Sequence, residues 1–230
     1  EPDPEPEPGP SQTPSWGYDR INAGLDANTG AGVKVGIIDT GIDLNHPDLN
    51  VAGGYNAIRP NKSAEDDNGH GTHVAGIVAA LDNSYGVVGV APDVDLYAIK
   101  VLDRSGSGYL SDIIEGLEWA KAEGMNVVNM SLGGPYDITS YHDAIKEVYD
   151  AGITIVAAAG NEGLNGGTMG YPALYAETIA VSATNEQDGL AYFSSYGPAI
   201  DVAAPGQDIY STYKGDSYAN KSDTSKVKPG

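Results

Sequence analysis

The sequence predicts an α/β protein: a doubly wound, mostly parallel sheet with helices on both faces. Near-continuous apolar runs, the mark of strands buried on both faces, alternate with segments whose apolar residues recur at helical spacing. Strands that alternate with helices pair in parallel through right-handed crossovers. A third observation bears on function. The unusual polar and glycine residues gather at the carboxyl ends of the strand runs, where open α/β sheets bind their ligands.

Taken in order, residues 1–10 (EPDPEPEPGP) alternate proline with acid. With almost nothing apolar to bury, they read as an extended, disordered tail or linker ahead of one domain over residues 11–230. The first strand is expected at 33–39, where VKVGIID ends on the carboxylate of Asp39. The stretch NGHGTHVAG (68–76) places His70 just before an apolar helix at 72–81. Further strands are expected at 94–102, 126–132, 154–160 and 178–183, and helices at 110–123 and 140–151. In the helix at 110–123, Ile113, Leu117 and Ala120 repeat at helical spacing, with Ser111 as N-cap and Gly124 as stop.

Composition narrows the function classes. Hydrophobic residues make up 40% of the 230, enough for a sizeable core. No run reaches the roughly 18 apolar residues of a membrane-spanning helix. Nor does a signal-peptide pattern open the chain, which implies a mature or a cytosolic form. The lack of cysteine excludes disulfides, thiolate chemistry and zinc–thiolate sites. Twelve basic against 32 acidic residues give a net charge of −20, which argues against nucleic acid and anionic membrane as partners. Such an excess of carboxylates serves solubility or the binding of a hard cation such as calcium.

Asp39 closes a buried run, and a buried carboxylate is costly unless hydrogen-bonded. Alone, it is also readable as a turn or helix-capping residue, and a lone histidine among glycines is ordinarily a loop residue. The order Asp39 then His70, one at a strand end and the other at a helix start, instead suggests a charge-handling pair for a serine nucleophile. Gly69 and Gly71 would let a substrate backbone approach the imidazole.

VKVGIIDTGID (33–43), NGHGTHVAG (68–76), AAAGNEG (157–163) and the stretch 193–219 together resemble the subtilisin-like serine proteases, the subtilase family. The resemblance spans about residues 11–219 and implies an endopeptidase that hydrolyses extended polypeptides through an Asp–His–Ser triad and an acyl-enzyme. It makes His70, rather than His73, the general base, and Asn161 the oxyanion amide. Ser105, Gly106 and Gly108, with Ser131, Leu132 and Gly133, become the edges that pair with substrate. Ala158 and Gly160 wall the primary pocket, with Glu162 and Gly170 at its rim, where a carboxylate favours a basic side chain. A calcium ion (Ca2+) is implied as well, held by Asp48, Asn83, Gln12 and the carbonyls of Leu81, Tyr85 and Val87, although N-S-x-G is also an ordinary turn. A secreted monomer is expected, with a propeptide or protein inhibitor as further partners beside the polypeptide substrate.

The pattern departs from the family at its end. In place of Gly-Thr-Ser-Met-Ala and a long buried helix stands NKSDTSKVKPG (220–230). Alignment from Tyr218 puts Ser225 in the nucleophile slot, with Asp223 where glycine is usual and Lys226, Val227 and Lys228 where small apolar residues follow. Pro229 opposes the helix, so the domain is expected to lack the usual C-terminal helices, a truncated form of the fold. Ser225 is then a nucleophile or a tail serine. In the second case the chain is a non-catalytic peptide-binding protein or an incomplete fragment. A nucleotide-binding protein is disfavoured, because no glycine-rich phosphate loop follows the first strand.

Overall fold

The computed structural model describes residues 11–25 and 28–222. The expected tail at 1–10 and Ser225 lie outside the described residues. A short helix α1 (Trp16–Arg20) precedes β1 (Lys34–Asp39), β2 (Val51–Asn56), α2 (His70–Ala79) and β3 (Asp95–Lys100). Then come α3 (Leu110–Ala122), β4 (Val127–Met130), α4 (Thr139–Asp150), β5 (Thr154–Ala158), β6 (Thr178–Thr184) and β7 (Val202–Pro205). A hairpin, β8 (Ile209–Tyr213) and β9 (Ser217–Lys221), follows the sheet. The seven strands of the sheet run parallel in the order β2-β3-β1-β4-β5-β6-β7. Winding reverses on either side of β1, so Asp39 ends the strand at the topological switch, the usual ligand crevice of such sheets.

Helices cover both faces, as the α/β reading requires. On one face α3 and α4 bury Leu117, Ile145 and Val148 against Val128, Met130 and Ile155. On the other, α2 sets Ala75 and Ala79 over Val35, Ile37, Leu96 and Ala98.

Burial on both faces holds for β1, where Val35 through Asp39 are all buried, but not for the outer strands. Ile179 of β6 and Val202 of β7 are 39% and 49% exposed. Register places both on the α2 side of the sheet, and α2 packs chiefly over β1 and β3.

Several boundaries differ from expectation. Helix α2 begins at His70 rather than at 72, because Gly69, left-handed at φ 110, turns the chain directly into it. Tyr109, in extended conformation, is the N-cap of α3; Ser111 lies inside the first turn. Strands β2 and β7 and the hairpin lie outside the expected strands: paired glycines interrupt VAGGYN, and the hairpin's polar alternation lacks an apolar run.

The hairpin is bolted to the back of α2. The imidazole Nε2 of His73 lies 3.0 Å from the Ile209 carbonyl and 3.1 Å from that of Ala219. Hydroxyls of Ser211 and Thr212 donate to the carbonyls of His73 and Thr72 at 2.8 and 2.7 Å. At Gly76 a side chain would meet those two hydroxyls at 2.4 and 2.2 Å, so glycine permits the close approach.

Burial pushes the His73 imidazole down from 6.5 to about 4. Between those values the unfolded chain binds the proton and the folded chain does not, so stability is full above about pH 6.5 and falls as pH drops toward 4. The shift corresponds to roughly 3 kcal/mol. Urea unfolding at pH 7 and at pH 4 should therefore show a smaller acid loss in His73→Gln than in the unchanged chain. Equal losses would mean that His73 is not the titrating group.

Candidate active site

At the end of β1, Asp39 is fully buried, and its Oδ1 accepts from the Thr40 N–H at 2.6 Å. The His70 Nδ1 stands 2.8 Å from each carboxylate oxygen of Asp39. This geometry commits the Nδ1 proton to the carboxylate and gives Nε2 of the neutral ring the lone pair of a general base. The helix can descend this far onto the strand end because residue 71 is glycine. A Cβ there would meet the Gly41 carbonyl at 2.0 Å and the Asp39 side chain at 3.2 Å. Tyr213 closes over Gly69 from the hairpin and donates its hydroxyl to the Asn68 carbonyl at 3.2 Å.

Lys100, 6% exposed, ends β3 beside Asp39 in register. Its ammonium donates to the carbonyls of Thr40 and Leu102 and to Asp67. Thr40, Asp66, Thr72 and Lys100 were not read from the sequence as parts of this edge. The available signal was the acidic pair in DDNGH, immediately ahead of the histidine.

The other strand ends bring the remaining expected residues to the same edge. Ala158 ends β5, and Gly160 turns the chain at φ 115 into Asn161, which is half-buried. Ser131, Leu132 and Gly133 follow β4; Leu132 is buried in the core, between the half-buried Ser131 and Gly133. Gly134 exchanges backbone hydrogen bonds with Tyr171, and Gly170 fits because a side chain there would meet the Gly134 carbonyl at 2.8 Å.

After β3, Gly108 packs against the Val101 carbonyl, with Gly106 at φ 78. The Ser105 hydroxyl donates to Asp103 at 2.7 Å, so this side chain holds its own loop, and that hydrogen bond keeps the Asp103 carboxyl below its usual range. Glu162 is exposed and accepts from the Asn165 amide at 2.8 Å, so its carboxylate also braces a loop.

A second cluster joins residues distant in sequence. Asp48 is fully buried and accepts from the Asn83 amide at 2.7 Å, the Val87 N–H at 2.9 Å and the Tyr218 hydroxyl at 3.2 Å. Burial raises its carboxyl above the ordinary value. The Gln12 amide lies 2.8 and 3.1 Å from the carbonyls of Leu81 and Val87, so those two oxygens converge on one point. Tyr85 donates its N–H to Asn83 Oδ1 at 2.8 Å. Gly86 at φ 70 leaves room where a Cβ would strike Asp48.

One carboxylate with converging neutral oxygens suits a hard, flexible cation. Half a turn of the Gln12 amide would add its oxygen to the set. Among the described residues no group of three or more histidine or acidic side chains could hold a metal, so any ion here would rely on carbonyls and amides.

A cleft of about 160 Å³ opens beside the His70 ring. Val74 and Ile77 of α2 form one wall, Asn129 and Ser131 another, and Lys221 of β9 borders it.

The sequence matches the subtilase family over residues 30–227. Subtilisin DY from Bacillus licheniformis is 53% identical over 202 residues, covering 87% of this chain and 74% of that protein. Subtilisin Savinase from Lederbergia lenta is 48% identical over 222 residues, 95% of this chain and 81% of that protein. An alkaline protease from Alkalihalobacillus alcalophilus is also 48% identical over 222 residues, but the chain spans only 58% of that protein's length. With a match over most of its length, and with a parallel sheet that sets an aspartate–histidine pair at its switch point, this chain belongs to the subtilase family.

Proposed function

We propose that this chain is a secreted, monomeric, calcium-stabilised serine endopeptidase, whose domain at 11–230 hydrolyses extended polypeptides through an acyl-enzyme. The observation that carries the reading is the Asp39–His70 pair at the carboxyl edge of the sheet, 2.8 Å apart and bordering a cleft. The protease names of its relatives support the same reaction class.

In this reading His70 Nε2 takes the proton of Ser225 as Oγ bonds to the scissile carbonyl carbon. Asp39 holds the ring through Nδ1 and stabilises the imidazolium that forms. The Asn161 amide donates to the carbonyl oxygen as its π bond opens and it becomes negative. His70 then returns the proton to the leaving amine, and water repeats the sequence on the acyl-enzyme. Ser225 follows Lys221 by four residues, a reach of at most about 14 Å, and Lys221 borders the same cleft as His70.

Substrate would lie extended between the edges at Ser105, Gly106 and Gly108 and at Ser131, Leu132 and Gly133. Its side chain would enter between Ala158, Gly160 and Gly170, with Glu162 at the rim. A propeptide or protein inhibitor would occupy the same edges. Calcium would take Asp48, Asn83, Gln12 and the carbonyls of Leu81, Tyr85 and Val87, neutralising a buried carboxylate and tying the N-terminal segment to the loop after α2.

The test is labelling with a serine-directed phosphonate, with the adduct mapped by mass spectrometry. A stoichiometric adduct on Ser225, lost in His70→Ala and Ser225→Ala, is expected. A folded chain that yields no adduct would leave a peptide-binding protein or a fragment in place of the enzyme.

Calcium is tested separately by melting. At a hundred times its dissociation constant, one bound ion adds about 2.7 kcal/mol, or roughly 5–10 °C in Tm for a domain of this size. A chelator should remove that increment, and Asp48→Ala should abolish the difference. A Tm indifferent to chelator would remove calcium from the proposal.

A further inference from the structure

Asp66 lies four residues before His70 and is 4% exposed. Its Oδ1 accepts from the Thr40 hydroxyl at 2.9 Å and from the N–H groups of Asn68 and Gly69 at 2.9 and 2.8 Å. Oδ2 accepts from the N–H and the hydroxyl of Thr72 at 3.0 and 2.6 Å. The two hydroxyls pass the connection on. That of Thr40 accepts from the Gly71 N–H at 2.9 Å, and that of Thr72 accepts from the Asp43 N–H at 2.9 Å. One buried carboxylate is thus bonded, directly or through one hydroxyl, to the residue after Asp39 and to both neighbours of His70.

The backbone around His70 needs such a device. It is flanked by two glycines, and Gly69 at the N-cap offers no side chain to the first turn of α2. Without a side chain at 71, the helix start rests directly on the β1 exit, and hydrogen bonds must hold the two in register. Asp66 also brings negative charge to the positive end of the helix. A mere helix cap would have no use for Thr40, which joins the same carboxylate from the strand side.

We infer that Asp66, with Thr40 and Thr72, positions the end of β1 against the start of α2, and so sets the bond between Asp39 and the His70 Nδ1. None of the three is assigned contact with substrate; they are positioning residues. The inference rests on the reading of Asp39 and His70 as the catalytic pair, and its primary readout does not need turnover.

The experiment follows the His70 Nδ1 proton by NMR in the full chain, beside thermal melting, for Thr40→Val, Thr40→Ser and Asp66→Asn. Valine keeps the shape of threonine but leaves Asp66 Oδ1 and the Gly71 N–H one partner short. The expected result is a low-field Nδ1–H resonance in the unchanged chain and in Thr40→Ser, lost or exchange-broadened in a still-folded Thr40→Val. A Thr40→Val spectrum that keeps the resonance unshifted overturns the inference, and so does its absence from the unchanged chain.

Should Asp66→Asn fail to fold, the two Thr40 variants decide. The phosphonate rate adds a second readout. The maximal labelling rate should fall by roughly tenfold to a hundredfold in Thr40→Val at unchanged half-saturation. If the unchanged chain takes no label at all, the proposed activity falls, while the proton resonance still decides the positioning role.

Discussion

The rest of the strand edge depends on a carboxylate removed from water. Asp39 is fully buried at the end of β1, an interior strand, a position that is costly unless its oxygens are met by donors. The Thr40 N–H meets one oxygen, and His70 Nδ1 lies within reach of both. Everything that brings the imidazole to that point is therefore coupled to the sheet: the left-handed Gly69, the absent side chain at Gly71, and the hairpin that locks α2 from behind. The same packing that hides Asp39 obliges the histidine to approach, so burial and geometry are one constraint.

Electrostatics follow from that choice. In a chain of net charge −20, Asp43 and Asp66 are also buried near the strand ends, and burial raises the carboxyl of neighbouring Glu65. Two devices offset this concentration. Backbone and hydroxyl donors saturate Asp66, and the buried ammonium of Lys100 is shared among Thr40, Leu102 and Asp67. Lys100 joins the ends of β1 and β3, so its ammonium also fixes the strand exits. The Asp48 cluster differs. Its donors include long-range partners but no lysine or arginine ion pair among the described residues, and its carbonyls converge as a cation would require.

What the sequence disclosed tracks how local each signal is. The buried run ending in Asp39 and the glycine-flanked His70 are written in consecutive residues, and their pairing followed from the order of two blocks. The parallel sheet was legible from alternating apolar and helical runs, but β2 was hidden by the glycines of VAGGYN, of which Gly54 lies so close to β3 that a Cβ would meet the Ala98 carbonyl at 2.4 Å. Ser105 was expected at a substrate edge through its backbone; that its hydroxyl bonds Asp103 is a choice between partners that spacing alone does not make. The same holds for Asp66 and Thr40. Each looks like an ordinary turn residue until the fold brings residues 40, 66 and 72 to one point.

That dispersal has a physical consequence. The groups at the strand edge come from β1, α2, the loop after β4, the turn after β5 and the hairpin, and the register of each is set by a different part of the sheet. No short segment holds the arrangement alone, so its geometry can be no firmer than the packing that joins the segments. The hairpin illustrates this: it reaches the cleft through Ile209 and Lys221, while its purchase on the fold includes the buried His73, whose Nε2–H donates to the Ile209 and Ala219 carbonyls. His73 lines the same cleft as His70 and Lys221, so what moves His73 acts on the hairpin and on the cleft together. The strand edge is thus coupled to a residue whose own bonds are structural, through backbone rigid enough to carry the displacement.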